Sequence, residues 1–281
     1  MPSILAVPEL ETTRDVKEID VSAVVGLVAN IEKDIRREIG KKVHLSIVIP
    51  AYNEEKRIPK TLERVLDYLE GREYFSEVII VDDGSTDRTR EVSVRILTDR
   101  VPIRIHANSS NKGKGSAIRK GMLAAKGEYV LFMDADMSTP IEELDRIMPQ
   151  FHKGNDIVIG SRKMPGAKIN VHQPKYREIM GKMFSYLSRI MTVRSVHDFT
   201  CGFKCFRKAC IEEIFSRQRL DGWGYDTEIL FIAHTLGFSI KEVSVTWTDS
   251  SDSKVRLWKD VVRSALDLIR IRINNMLGRY R

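Results

Sequence analysis

Apolar runs and amphipathic segments alternate along this chain in a regular order. LSIVIP (45–50) is a continuous β-branched run, as expected of a strand buried on both faces. A helix is expected over Glu55–Glu70, then a second buried strand in EVIIVDD (77–83). A helix over Asp87–Thr98, a strand in PIRIHA (102–107), a helix over Lys114–Lys126 and a strand in EYVLFMD (128–134) follow. This alternation predicts an α/β fold: a mostly parallel sheet with right-handed crossovers and helices on its faces. Ligands of such sheets bind outside the carboxyl ends of the strands, so the polar residues after each strand are the candidate site.

The pattern continues beyond that point. Thr139-Pro140-Ile141-Glu142 reads as a helix start, with Thr as cap, Pro at the first position and Glu at the third. That helix runs to about Gln150, and a strand follows over DIVIGSR (156–162). Residues 163–175 read as a Pro- and Gly-bearing loop, and Tyr176–Val193 as a long helix. A strand near 203–206, helices near 208–216 and 226–236, a strand over 239–247 and a final helix from about Arg256 to Leu277 complete the chain. On that last helix Trp258, Val262, Ala265, Ile269, Ile273 and Met276 recur at spacings of three and four. They form one apolar face, with Arg263 and Arg270 elsewhere, which suits either packing on the main domain or a bilayer interface.

Three zones follow: residues 1–42 as a partly helical extension, 43–253 as the main domain, and 254–281 as a basic amphipathic helix. The apolar stretch Val21–Ile31 begins a helix expected to reach Gly40. It is about 11 residues long, too short for the roughly 20 that a bilayer span needs, so no crossing segment and no secretion signal are expected.

Charge sharpens this division. The net charge is +7, and residues 254–281 hold eight Lys/Arg against two Asp, a local +6. A basic amphipathic helix suits an anionic surface, and lipid headgroups fit better than nucleic acid. No platform of stacking aromatics accompanies the basic residues, so no nucleic-acid partner is expected. The three cysteines, Cys201, Cys205 and Cys210, fit no closed disulfide framework and read as buried thiols in a reducing compartment.

Four strand ends carry candidate chemistry. Asp134-Ala135-Asp136 puts two carboxylates on one side of an extended segment, where a hard divalent cation relieves their repulsion. Asp82-Asp83-Gly84-Ser85-Thr86-Asp87 combines a tight turn with Asp83, an acceptor for a base or ribose, while Asp87 caps the next helix. Asn111-Lys112-Gly113-Lys114-Gly115-Ser116 opens a helix and suits a phosphate, with Lys114 as its cation. Pro50-Ala51-Tyr52-Asn53-Glu54-Glu55 reads by itself as a turn and helix start. Asp226-Thr227-Glu228 reads equally as a cap with a first turn or as a group orienting substrate, and Asp198 is a second such group.

In order, PAYNEE, VDDGSTD, NKGKGSAIRKGM and MDAD resemble the family 2 nucleotide-sugar glycosyltransferases with a GT-A fold. GSR (160–162), DFTCGFKCF (198–206), DGWGYDTEIL (221–230) and the ending DLIRIRINNMLGRY (267–280) resemble the dolichyl-phosphate glucosyltransferases and related polyprenyl-phosphate enzymes. The resemblance covers about 44–281. It implies that Pro50, Tyr52 and Glu54 line a nucleotide pocket and that Asp83 hydrogen-bonds uracil. It implies that Asp134 lies near the ribose and the metal-bound diphosphate, and that Asp136 binds Mg²⁺ or Mn²⁺ directly. Where relatives often carry Gln, two positions after the second Asp, this chain has Ser138. Arg162 and Arg177 match basic positions for the acceptor phosphate or the leaving diphosphate, and Asp226 is a further catalytic candidate. The implied activity is inverting transfer of glucose from UDP-glucose to a polyprenyl phosphate, by an enzyme peripheral on the cytoplasmic face of a membrane. GDP-mannose or UDP-GlcNAc as donor, and a soluble acceptor, fit the same motifs.

Overall fold

The computed structural model describes residues 42–96, 100–171, 174–249 and 257–281. The helix expected over 21–40 lies outside them. Residues 43–281 form one compact unit.

Seven strands make the main sheet: β1 (Leu45–Ala51), β2 (Ser76–Asp82), β3 (Ile103–Ala107), β4 (Tyr129–Met133), β5 (Ile157–Ser161), β7 (Phe203–Arg207) and β8 (Ile240–Ser244). Their order is β3-β2-β1-β4-β7-β5-β8. All neighbours are parallel except β7, which runs antiparallel to both β4 and β5. Alternation within the strands divides the core in two. Val48, Ile79, Val81, Val130, Phe132, Ile157, Ile159 and Phe206 pack on one face, against α3 (Lys114–Ala124), α6 (Lys208–Phe215), α7 (Tyr225–Thr235) and α8 (Leu257–Met276). Ile47, Ile49, Val78, Ile80, Leu131, Met133 and Phe203 pack on the other, against α1 (Ile58–Glu70) and α4 (Leu144–His152). The apolar runs of the sequence are thus strands covered on both sides, the α/β arrangement expected. Helices α2 (Thr89–Arg95) and α5 (Lys175–Met191) complete the unit.

Four expectations need correction. The strand foreseen over 239–247 is two strands, β8 and β9 (Thr246–Thr248), broken at the buried Val245. The break lets β9 pair in parallel with β6 (Lys168–Val171), a short strand inside what reads as a loop. Thr139 caps no helix. Pro140 is extended, a 3₁₀ turn fills Ile141–Glu143, and α4 begins only at Leu144. The Thr139 hydroxyl lies 3.8 Å from the Cys201 sulfur instead. The helix foreseen over 87–98 starts at Thr89 and is described to Arg95, with 97–99 outside the described residues.

Candidate active site

Parallel pairing aligns the strand ends. Ala51 lies beside Asp82, and Asp82 beside Ala107. Antiparallel β7 starts at the same edge, with Phe203 opposite Met133, and β5 ends there, with Ile159 opposite Lys204. The loops after β1, β2, β3, β4 and β5, and the loop before β7, therefore share one edge. The strand order reverses between β1 and β4, the place where sheets of this class open a ligand crevice.

The tip of β2 is held from within. Asp83 is buried, and its carboxylate accepts hydrogen bonds from Asn108 Nδ2 (2.8 Å), the Lys112 amide (3.0 Å) and the Gly113 amide (2.8 Å). It thereby fixes the loop that enters α3. Gly113 has φ 106°, and a Cβ there would meet the Asp221 carbonyl oxygen at 2.4 Å, so the loop follows a path only glycine permits. The neighbouring turn is tied likewise. Asp87 accepts from the Thr89 amide (2.9 Å), close to the capping role expected, and from the Glu55 amide (3.2 Å). Asn53, at φ 55°, accepts from the Thr86 amide (2.8 Å). Pro50 is buried in β1, Tyr52 is part-exposed, and Glu54 pairs with Arg57 at 3.2 Å.

Helix α3 then delivers Lys114 to the tip of β4. Its Nζ lies 2.6 Å from Asp134 Oδ1. Burial opposes the ammonium charge, but Asp134 and Asp226 together outweigh it and raise the Lys114 pKa. Asp136 accepts from the Ser138 amide (2.9 Å) and has no ion-pair partner among the described residues. Burial first, and the Asp134 charge second, raise its pKa. The pair thus carries uncompensated negative charge, and the oxygen donors fit a hard divalent cation. No cluster of three or more His, Cys, Asp or Glu with metal-binding geometry occurs among the described residues, so substrate and water oxygens would complete such a shell.

Asp226 lies in the first turn of α7, whose cap position is Gly224; the capping alternative is therefore incorrect. Asp226 is buried and pairs at 2.5 Å with Lys204, a lysine with 0% exposure on β7. The Lys204 ammonium also donates to the Cys201 carbonyl (2.6 Å). Net desolvation raises the Asp226 pKa despite both neighbouring lysines. Gly202 precedes this pair. A Cβ on it would lie 2.0 Å from Asp134 Oδ2, so the residue makes room for that carboxylate.

At the end of β5, Arg162 binds Asp198 through Nε and Nη2, both at 2.7 Å, and Nη2 also donates to Thr200 Oγ1 (2.8 Å). Burial alone would raise the Asp198 pKa, but Arg162 outweighs it and holds the carboxylate well below the usual range. Arg177 lies in the first turn of α5, and its side chain is outside the described residues.

Helices α5 and α8 pack beside one another and share an unusual polarity. On α5 the buried positions include Ser185 and Ser188, while Tyr176, Ile179, Met183 (67% exposed), Tyr186 (67%) and Ile190 face outward. On α8 Asp267 and Asn274 are buried with Leu268 and Ile271, while Leu266, Ile269, Ile273 and Met276 (83%) are exposed. The apolar face foreseen on the last helix is therefore an outer face where its side chains are described. Those of Trp258 and Val262 lie outside the described residues. Among the described residues no helix is long and apolar enough to cross a membrane.

The family model for glycosyl transferase family 2 matches residues 46–215. The chain belongs to that family. This family 2 glycosyltransferase is 36% identical over 242 residues to a dolichyl-phosphate beta-glucosyltransferase of Trichomonas vaginalis, covering 83% of this chain and 74% of that one. It is 34% identical to the dolichyl-phosphate beta-glucosyltransferase of Saccharomyces cerevisiae (86% and 78%) and 33% identical to that of Homo sapiens (84% and 77%). Among solved structures, mannosyl-3-phosphoglycerate synthase from Rubrobacter xylanophilus superposes with a TM-score of 0.63 at 18% identity, covering 87% and 77%. Glucosyl-3-phosphoglycerate synthase from Mycobacterium tuberculosis, solved with Mn²⁺, UDP-glucose and phosphoglyceric acid, gives 0.59 at 18% identity, covering 86% and 81%. The GT-A fold and the resemblance to dolichyl-phosphate glucosyltransferases are thus borne out.

Two residues of this candidate site had not been singled out from the sequence. Lys204 had a signal: a lysine inside the apolar strand FKCFR requires a buried partner. Gly202 had none, because its role depends on which strand lies beside β4.

Proposed function

We propose that this chain transfers glucose from UDP-glucose to the phosphate of a dolichyl-type polyprenyl lipid, with inversion, while lying peripherally on the cytoplasmic face of a membrane. The observation that carries this reading is the meeting of Lys114, Asp134 and Asp136 at one sheet edge, on a chain whose relatives bear the names given above.

Asp134 and Asp136 would hold Mg²⁺ or Mn²⁺, which as a Lewis acid neutralises charge on the departing diphosphate. Lys114, at the amino end of α3, supports the same diphosphate through its ammonium and the adjacent helix terminus. Its contact with Asp134 keeps the two charges paired until the donor arrives. Pro50, Tyr52 and Glu54 form the wall beside the nucleotide. Asp83 has three hydrogen bonds on about four lone pairs, which leaves one for uracil. Asp198 holds Arg162 in a fixed orientation through two parallel bonds and leaves Nη1 for the acceptor phosphate, with Arg177 as a second cation. Asp226, anchored by Lys204, faces the sugar or the acceptor.

The acceptor phosphate is an anion near neutral pH. One of its oxygens forms the new bond to the anomeric carbon as the bond to the UDP oxygen breaks on the opposite side. The electron pair leaves with UDP, and no proton has to move. An α-linked donor gives a β-linked product. Cationic side chains do what a strong base does elsewhere: they let two anions approach. The outward apolar faces of α5 and α8 suit the bilayer interface that holds such a lipid.

The test is a donor screen with purified protein, Mg²⁺ or Mn²⁺ and a short-chain polyprenyl phosphate. UDP release with formation of a β-glucosyl phospholipid is expected. GDP release from GDP-mannose, or transfer without any lipid phosphate, would replace this assignment.

A further inference from the structure

A cavity lined by basic side chains lies away from the sheet edge. The carboxyl end of α5, the loop after it, the end of α7 and the later part of α8 enclose a cavity of about 560 Å³. That is within the range of small-ligand sites, roughly 300–1,000 Å³. Arg194, Arg272 and His234 line it with Thr192, Ser195 and Ile190, and among the described residues no acidic side chain lines it. Neither arginine has an ion-pair partner among the described residues. The Arg272 guanidinium lies 5.8 Å from the Phe231 ring, a contact that leaves its N–H donors for other partners.

Placement separates this cavity from the transfer site. His234 is eight residues beyond Asp226 along α7, about 12 Å at 1.5 Å per residue. Ile190 is thirteen residues beyond Arg177 along α5, about 20 Å by the same measure. Placement also joins it to the apolar faces. Ile190 belongs to the exposed stripe of α5 and lines the cavity, and Arg272 precedes the exposed Ile273 of α8. Unpaired guanidinium groups that border two outward apolar stripes match the layering of a bilayer interface, with phosphates at the rim of the hydrocarbon.

We propose that this cavity binds the phosphate of an anionic phospholipid headgroup and so fixes how the enzyme sits on the membrane. The inference rests on the peripheral membrane reading above. Arg194 and Arg272 would grip the phosphate oxygens, with the Ser195 hydroxyl as an added donor. The acyl chains would lie along Ile190 and Ile273.

Flotation of the purified chain with vesicles tests this. Neutral phosphatidylcholine vesicles are compared with vesicles containing 20% phosphatidylglycerol, using wild type, Arg194→Gln/Arg272→Gln, and Arg194→Lys/Arg272→Lys. Wild type should prefer the anionic vesicles by about tenfold or more at 0.1 M salt, on the scale of a few basic groups at a charged surface. The double Gln variant should lose that preference and bind neutral vesicles as before, and the Lys variant should recover most of it. A double Gln variant that keeps the full preference overturns the site. Inorganic phosphate separates the sources: competition by millimolar phosphate, with no preference for anionic vesicles, would make this a site for a soluble phosphate and overturn the lipid assignment. Absence of binding to either vesicle type would sink the membrane reading, and this inference with it, and leave transfer to a water-soluble short-chain acceptor to stand alone. Equal transfer to that acceptor by all three proteins checks that each is folded.

Discussion

The carboxyl edge of the sheet and the outer face of α5 and α8 are built on opposite rules. At the edge, charged groups are sunk into the fold and three of them are tied down: Asp83 by three donors, Asp198 by a two-point arginine, Asp226 by a buried lysine. On the helices, Tyr, Ile, Met and Leu side chains point outward while Ser185, Ser188, Asp267 and Asn274 point inward. Fixed charge suits a reaction in which two anions must meet, because dipoles that need not reorganise stabilise the transition state best. Exposed apolar side chains suit the apolar rim of a bilayer. On the proposed function, chemistry falls to one region and contact with the lipid to the other, and mutations should separate them.

The largest effect should come at the edge. Asp136→Asn is expected to lower metal-dependent transfer on the order of 10³-fold, the scale for removing a principal electrostatic group, with an unchanged unfolding midpoint. Steady-state rates with Mn²⁺ measure it, and full activity would remove Asp136 from the site. Asp198→Asn should instead cost stability, about 3 kcal/mol, because Arg162 is left without its counter-ion in a mostly buried position. The Asp198 pKa is lowered in the folded state, so its contribution is present above the unfolded value near 3.9 and is lost as pH falls toward the folded one. Urea melts at pH 7 and in that acid range should therefore converge for wild type and variant. A gap that persists at low pH would assign the loss to packing.

A smaller loss tests the geometry alone. Gly202→Ala must displace the Asp134 carboxylate, which a Cβ would approach to 2.0 Å. We expect a fall in kcat of roughly 30-fold, since small misplacements near reacting groups cost up to about 100-fold. An unaffected kcat would mean that Asp134 need not occupy its present position. The smallest effect belongs to the helices. Met183→Glu with Tyr186→Glu should weaken vesicle binding by about tenfold and leave transfer to a water-soluble acceptor intact. Loss of both together would erase the division between the two regions.

The legibility of these regions in the sequence also differs. Continuous apolar runs such as LSIVIP and EVIIVDD announce buried parallel strands, and the polar residues that end them announce the site, since that follows from topology alone. The Lys204–Asp226 pair and the space that Gly202 leaves are non-local. They exist because β7 enters antiparallel beside β4, an arrangement no short spacing encodes. The outward face of α5 is not legible for another reason. Apolar residues every three or four positions read alike whether a helix turns them to a core or to the outside. Only burial of its serines shows which way it points. The misplaced cap at Thr139 and the break at Val245 are local choices decided by tertiary contacts: the Cys201 sulfur in one case and the β6 partner strand in the other.

Tyr280 is buried, receives a hydrogen bond from Asn274 (3.1 Å) and donates one to Glu228 (2.5 Å), two residues along from Asp226. Glu228 in turn accepts from the amides of Arg219 and Leu220, which adjoin the Asp221 carbonyl under Gly113. The Tyr280 hydroxyl is thus a keystone for the loop beneath Lys114, and a saturation library should find position 280 as intolerant as any in the interior.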